Sequence, residues 1–316
     1  MEIKKLDELA AAAGKALAGT GKNPPRIAVA AAGEGTILSA LAEAGRLGLA
    51  RPLLVGDRRG IEKAAEERGI DFSQWELVQE DNAAAAAIRA VELVRGGQAE
   101  LAMKGLVPSA VFLKAVLRKD MGFNRGTAGG SIVSHAGIIE VPGYHKLLMI
   151  SDGALNITPG LMEKAAILRN AVGLAHTMGI SEPKAAILAG VETVNPERMP
   201  CTVDAAILTQ MWRRGQFDEA GACIVDGPLA LDNAVSAAAA KTKGINSPVA
   251  GDADILIVPN IEAGNILYKS LSCLGGAKTA GLILGTRVPV IVTSRADSAE
   301  TKTASIALAV LAWLRL

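Results

Sequence analysis

Along roughly the first third of the chain, short apolar runs alternate with longer amphipathic stretches. The runs at residues 26–32, 52–55, 75–78 and 101–103 are mostly aliphatic and read as strands. Between them, residues 36–47, 61–68 and 82–95 repeat their apolar positions at helical spacing. This alternation predicts βαβ units and a parallel sheet.

A helix is predicted at 110–118, and the glycine-rich residues 122–130 read as a hinge. Residues 131–141 and 146–151 predict two strands, joined through Pro142-Gly143-Tyr144 as an antiparallel pair. A helix at 161–178, a strand at 184–189, a helix at 201–214, a strand at 222–225 and a helix at 230–240 complete a second α/β unit. The last quarter adds apolar runs at 255–258, 280–284 and 288–293. The final strand and helix need a sheet to join. The chain is therefore expected to return to its first domain, with residues 1–124 plus 285–316 as domain I and 125–284 as domain II.

Polarity changes abruptly after two of these last runs, at Pro259-Asn260-Ile261-Glu262-Ala263-Gly264-Asn265 and at Ser294-Arg295-Ala296-Asp297-Ser298. Each cluster lies between a strand's carboxyl end and a helical pattern, where open α/β sheets place ligands. Ser294 and Asp297 have capping-box spacing, and Ile306, Val310, Leu311 and Leu314 give the next helix an apolar stripe. Free N–H groups at a helix start attract an anion. The Arg295 guanidinium matches phosphate geometry, and Ser294 and Ser298 add hydroxyl donors. The same spacing also suits an ordinary capped helix with a solvated arginine. A third polar turn, Met103-Lys104-Gly105-Leu106-Val107-Pro108-Ser109, opens the helix at 110–118; Lys104, Ser109 and Lys114 could face an anion or simply water.

Composition narrows the classes. A length of 316 residues suits about two domains. A net charge of +1 and only 3% aromatic residues argue against nucleic acid and anionic membrane surfaces as partners. Cys201, Cys223 and Cys273 lack CxxC spacing, and His135, His145 and His176 form no ligand pattern. Neither a disulfide framework nor a metal site is expected, and a reducing cytoplasm is the natural compartment. No apolar run is long and clean enough to span a bilayer. The alanine-rich N-terminal pattern carries Glu2, Asp7 and Glu8, which fits a surface helix better than a signal peptide. The sequon Asn156-Ile157-Thr158 is therefore read as coincidence. The turn Gly33-Glu34-Gly35-Thr36-Ile37-Leu38 is an incomplete dinucleotide fingerprint, with Leu38 where the third glycine belongs, and is read as a plain tight turn.

The segments MKGLVPSAVFLKAVL, VSHAGIIEVPGYHKLLMISDGALNITPGLMEKAAILRNAV, DADILIVPNIEAGNILYKSL, LGGAKTAGLILG and PVIVTSRADSAETK resemble the phosphate acetyl/butyryltransferase family, in order and at its spacing. The phosphate butyryltransferase branch is the nearer one. The resemblance implies an α/β protein with the isocitrate/isopropylmalate dehydrogenase-like fold, two α/β domains with a cleft between them, and a homodimer or higher homo-oligomer paired through the second domain. It also implies reversible conversion of short-chain acyl-CoA plus inorganic phosphate into acyl phosphate plus CoA. The alternatives are acetyl specificity, or a non-catalytic sensor of CoA or acyl phosphate. Coenzyme A is then a substrate, and no cofactor is implied.

In this family the CoA thiolate attacks the acyl phosphate directly, so no enzyme nucleophile is required. Carried onto this chain, Arg295 would hold the phosphoryl group and Ser294 would hydrogen-bond the reacting centre. Asn260, Glu262 and Asn265 would line the cleft, and Lys104, Gly105, Ser109 and Lys114 would contribute from the first domain. Two departures matter. Acetyl-specific relatives place an aspartate, the proposed base for the thiol, where this chain has Thr301; the adjacent Glu300 is the candidate instead. Lys114 stands where relatives have arginine, keeping the charge but losing bidentate binding. A decarboxylating dehydrogenase on the same fold would need a complete cofactor loop and clustered aspartates, and the sequence has neither.

Overall fold

The computed structural model describes residues 2–123, 132–216 and 218–316. The chain forms two compact units, Asp7–Arg125 with Ala280–Leu316, and Met1–Leu6 with Gly126–Thr279. Residues 124–130 of the expected hinge lie outside the described residues. Among the described residues, no helix is long and apolar enough to cross a membrane.

The first unit opens with α1 (Glu8–Thr20), β1 (Arg26–Ala30), α2 (Gly35–Arg46), β2 (Arg51–Gly56) and α3 (Arg58–Glu66). It continues with β3 (Glu76–Gln79), α4 (Ala83–Arg95), β4 (Leu101–Lys104) and α5 (Ser109–Val116). Local chemistry sets the helix starts. The Asp57 carboxylate accepts the N–H groups of Arg59 and Gly60 ahead of α3, and the Asn82 side chain accepts those of Ala84 and Ala85 ahead of α4. Ile27, Val29, Leu53, Leu54, Leu101 and Met103 are fully buried, which explains their continuous apolar runs.

The second unit contains β5 (Ser134–Glu140), β6 (Leu148–Ser151), α6 (Leu161–Thr177), β7 (Lys184–Leu188) and α7 (Cys201–Arg213). It then forms β8 (Ile224–Leu229), α8 (Leu231–Val235), α9 (Ala237–Thr242), β9 (Ile255–Ile257) and α10 (Ile261–Lys269). Its strand order is β5-β6-β9-β7-β8. β5 and β6 pair antiparallel with Ile138 opposite Met149, as the sequence predicts, and the remaining pairs are parallel. The single helix expected at 230–240 is split. Ser236 is extended, and its hydroxyl caps α9 by accepting the Ala239 N–H. Ile139, Leu148, Ile150, Leu188, Leu229 and Leu256 form this unit's core.

The chain ends with β10 (Lys278–Leu284), β11 (Val290–Ile291) and α11 (Ala299–Trp313). The first unit's strand order is β3-β2-β1-β4-β11-β10. β11 runs parallel to β4 but antiparallel to β10, through Ile283 opposite Val290. The strand expected at 288–293 is thus far shorter, and Pro289, which has no N–H to donate, directly precedes it. α1 buries Leu9, Ala13 and Leu17 and packs on α11, so it is only half a surface helix.

Two stretches fall across the expected domain boundaries. Met1–Leu6 groups with the second unit, where the Ile3 N–H donates to Met178 O (3.0 Å) and the Leu6 N–H to Glu140 Oε2 (2.9 Å). Residues 280–284 group with the first unit through the β10–β11 pairing.

Candidate active site

In the first unit, strand order reverses between β1 and β4. β1 pairs with β2 on one side and with β4 on the other, so the turns after β1 and β4 flank a topological switch point. β11 lies beside β4 and runs the same way, which brings the Ser294 turn to the same sheet end.

Lys104 is the last residue of β4 and is only 3% exposed. Its ammonium donates to Gly105 O (3.2 Å) and Val107 O (3.4 Å). Burial pushes its pKa down, the Glu34 carboxylate pulls it up, the Arg295 and Lys302 cations lower it further, and Asp297 opposes them. Gly105 has a steric role. A Cβ there would lie 2.3 Å from Ala30 O, because the Gly105 and Leu106 N–H groups donate to Ala30 O and Ala31 O at 2.8 and 2.7 Å. Ser109 and Lys114, on α5, are both exposed to solvent.

The capping box expected at Ser294 and Asp297 is displaced. α11 starts one turn later, with the Ser298 hydroxyl accepting the Thr301 N–H at 3.2 Å. The Asp297 carboxylate instead accepts the Ser294 N–H (2.7 Å), the Asp297 N–H donates to Ser294 O (3.2 Å), and the pair closes a separate turn. Arg295 therefore stands on an exposed turn ahead of the helix rather than in its first turn. Glu300 is exposed in the first turn of α11. Hydrogen bonds from Ser298 and from its own backbone hold its carboxyl below the usual range, which weakens it as a base.

The expected apolar stripe of α11 is nearly a full cylinder, buried from Ser305 to Leu311. Two polar residues inside it are satisfied. Ser305 Oγ accepts the Gly281 N–H (3.0 Å) and donates to Thr301 O (2.8 Å). Lys302, with no exposed surface, donates to Thr36 Oγ1 (3.0 Å) and Asp297 O (2.6 Å) and pairs with Glu34 Oε1 at 3.1 Å. Thr36 Oγ1 in turn donates to Glu34 Oε1 at 2.6 Å. The incomplete dinucleotide fingerprint thus supplies an acidic turn to a buried lysine.

The second unit contributes a different pair of turns. Asn260 caps α10, its Oδ1 accepting the Ala263 N–H at 3.0 Å, while Glu262 is exposed beside it. Asn265 Nδ2 donates to Gly153 O at 3.1 Å. A Cβ on Gly264 would lie 2.9 Å from Gly153 Cα, so the turns after β6 and β9 touch backbone to backbone. Asp152 organises its own turn: Oδ1 accepts the Ala154 and Leu155 N–H groups at 2.8 and 3.0 Å, and Oδ2 accepts Asn156 Nδ2 at 2.6 Å. The sequon amide is therefore an internal hydrogen-bond donor.

Within the first unit, Lys104, Arg295 and Asp297 are brought together, joined by Glu34 and Lys302. Within the second, Asn260, Glu262 and Asn265 share α10 and its cap. Sequence reasoning missed Glu34, Lys302 and Asp152. A lysine directly ahead of the apolar stretch of α11 was the available signal for Lys302.

A family model described as phosphate acetyl/butaryl transferase matches residues 78–310. The phosphate butyryltransferase of Clostridium acetobutylicum is 46% identical over 290 residues, covering 92% of this chain and 94% of that protein. The phosphate acetyltransferase of Thermotoga maritima is 41% identical over 308 residues, covering 98% of each. A branched-chain phosphotransacylase from Enterococcus faecalis V583 superposes with a TM-score of 0.76 at 34% identity, over 92% of this chain and 99% of that one. With its strand-end turns built from the motifs that carry the resemblance, and with relatives matching nearly end to end, this chain belongs to the phosphate acetyl/butyryl transferase family.

Proposed function

We propose that the protein is a phosphate acyltransferase, interconverting short-chain acyl-CoA plus inorganic phosphate with acyl phosphate plus CoA. Phosphate butyryltransferase is the favoured member, supported by the 46% identity to the clostridial enzyme, and phosphate acetyltransferase is the alternative. The observation that carries the reading is the cluster at the ends of β4 and β11, adjacent parallel strands whose same-end turns carry buried Lys104 and exposed Arg295. Two cations beside the exposed hydroxyls of Ser294 and Ser298 suit a phosphoryl group.

In the forward direction a phosphate oxygen attacks the thioester carbonyl, the carbon–sulfur bond breaks, and the CoA thiolate leaves and takes up a proton. In reverse the thiolate attacks the acyl phosphate carbonyl and phosphate leaves. Arg295 holds the phosphoryl oxygens, and Lys104 adds positive charge behind it. Ser294 donates to the carbonyl oxygen as charge develops there. Ser109 and Lys114 bind more distant parts of the anionic substrate, and Asn260, Glu262 and Asn265 serve the acyl-CoA from the second unit. Glu300 is the base for the CoA thiol, a weak one given its lowered pKa.

The finer architecture belongs to the same reading: two α/β domains of the isocitrate/isopropylmalate dehydrogenase type, in a cytoplasmic homodimer or higher homo-oligomer. The function is tested by thiol release from butyryl-CoA and acetyl-CoA, with and without phosphate and with no nicotinamide added. Phosphate-dependent release, faster with butyryl-CoA, is the expected result. Absence of phosphate-dependent release from both thioesters would overturn the reading.

A further inference from the structure

We propose that Lys302 is a positioning residue for this acyl transfer, pinning the turn that carries Ser294 and Arg295 to the turn between β1 and α2. The inference rests on the functional reading above. Lys302 lies on α11, ahead of its buried stretch Ser305–Leu311, and its own side chain is 1% exposed. Three acceptors surround its ammonium: Asp297 O at 2.6 Å, Thr36 Oγ1 at 3.0 Å and Glu34 Oε1 at 3.1 Å. The first belongs to the Ser294–Asp297 turn and the other two to the start of α2. One fully buried cation therefore ties two strand-end turns together, and its neighbour Lys104 lies on the strand between them.

Stability alone does not account for a lysine at this point. Desolvating an ion pair commonly costs as much as the pair returns, and an aliphatic residue of similar volume would fill the helix face as well. What the lysine provides is a directional tether. Ser294 and Arg295 are exposed, and the Ser294–Asp297 hydrogen bonds lie inside their own turn. The Lys302–Asp297 O bond links that turn, through the ammonium, to Glu34 and Thr36 at the start of α2. Glu34 precedes α2 without capping it with its side chain; the carboxylate is turned to Thr36 and Lys302 instead.

The test compares Lys302→Met and the double variant E34Q/K302M with wild type, reading phosphate-dependent thiol release from butyryl-CoA alongside the melting temperature. Lys302→Met leaves the partly buried Glu34 carboxylate without its ammonium partner, so both readings fall. The double variant removes both charges, and its melting temperature is expected to return to that of wild type. Its kcat/KM for phosphate should nevertheless stay about 10²-fold down, the scale for misplacing a catalytic group by an ångström, with the KM for butyryl-CoA unchanged. A double variant that regains wild-type phosphate kinetics together with its melting temperature would overturn the inference and leave Lys302 a structural residue. A wild type without phosphate-dependent release would instead overturn the acyltransferase reading, and the inference with it.

Discussion

Replacing Gly105 by alanine is expected to damage both the fold of the first unit and its chemistry. The new Cβ would lie 2.3 Å from Ala30 O, 2.4 Å from Ala31 O and 2.9 Å from the Ala31 carbonyl carbon. Carbon–oxygen contacts normally begin near ~3.3 Å, so the strand ends would have to part by about 1 Å. That movement breaks the bonds from the Gly105 and Leu106 N–H groups to those carbonyls, now 2.8 and 2.7 Å long. Two lost backbone bonds at about 0.5–1.5 kcal/mol each, with about 1–3 kcal/mol of overpacking strain, come to roughly 2–6 kcal/mol. A domain holds about 5–15 kcal/mol in total. Lys104 moves with its neighbour, so the molecules that remain folded should turn over about 10²-fold more slowly. Urea unfolding combined with phosphate-dependent thiol release reads both effects. Gly19→Ala is the control: nothing lies within 4 Å of its Cβ inside α1, and alanine there should be neutral or stabilising by about 0.5–1 kcal/mol. A Gly105→Ala protein within about 0.5 kcal/mol of wild type, and equally fast, would refute the steric argument.

Arg295→Ala should lose about 10²–10³ in turnover, with lysine restoring only part; near-native rates in a folded alanine variant would remove Arg295 from the mechanism. In the acyl phosphate plus CoA direction, Glu300→Gln should lose about 10²-fold at neutral pH, the low end for a base, and recover as pH nears the thiol's own pKa of ~8.5; an unchanged pH profile would eliminate it. At the far end of the second unit's sheet, burial raises the Asp252 pKa, but hydrogen bonds from Lys184, Lys146 and His145 outweigh burial and hold it well below the usual range. Its contribution is therefore present above the unfolded carboxyl pKa of ~3.9 and lost as pH falls through the lower folded value. Asp252→Asn should cost about 1 kcal/mol at neutral pH, since a side chain 38% exposed is partly screened. That difference should shrink below about pH 4; one independent of pH in denaturant titrations would contradict the linkage.

The strands and helices of the first unit are legible because burial on both faces leaves uninterrupted apolar runs such as those of β1 and β2. What local pattern could not carry is partnership. β11 could have paired in either direction, and its parallel run beside β4 depends on contacts made far along the chain. The start of α11 was misplaced because Ser294 with Asp297 and Ser298 with Thr301 both present cap-like spacing, and only the fold decides between them. Of the candidate site, Arg295, Lys104 and the Asn260 turn could be picked out, because polar residues at strand ends stand out against apolar runs. The Glu34–Lys302 pair joins residues 268 positions apart, and each alone looks like an ordinary surface charge.

The central claim is that phosphate itself captures the acyl group from CoA. Its most direct test is a mass spectrum of the products formed when the protein is incubated with butyryl-CoA and phosphate fully labelled with heavy oxygen. Butyryl phosphate that retains every labelled oxygen, in equal amount to the thiol released, is the expected product. Free butyrate carrying oxygen from water, with no labelled acyl phosphate, would contradict it.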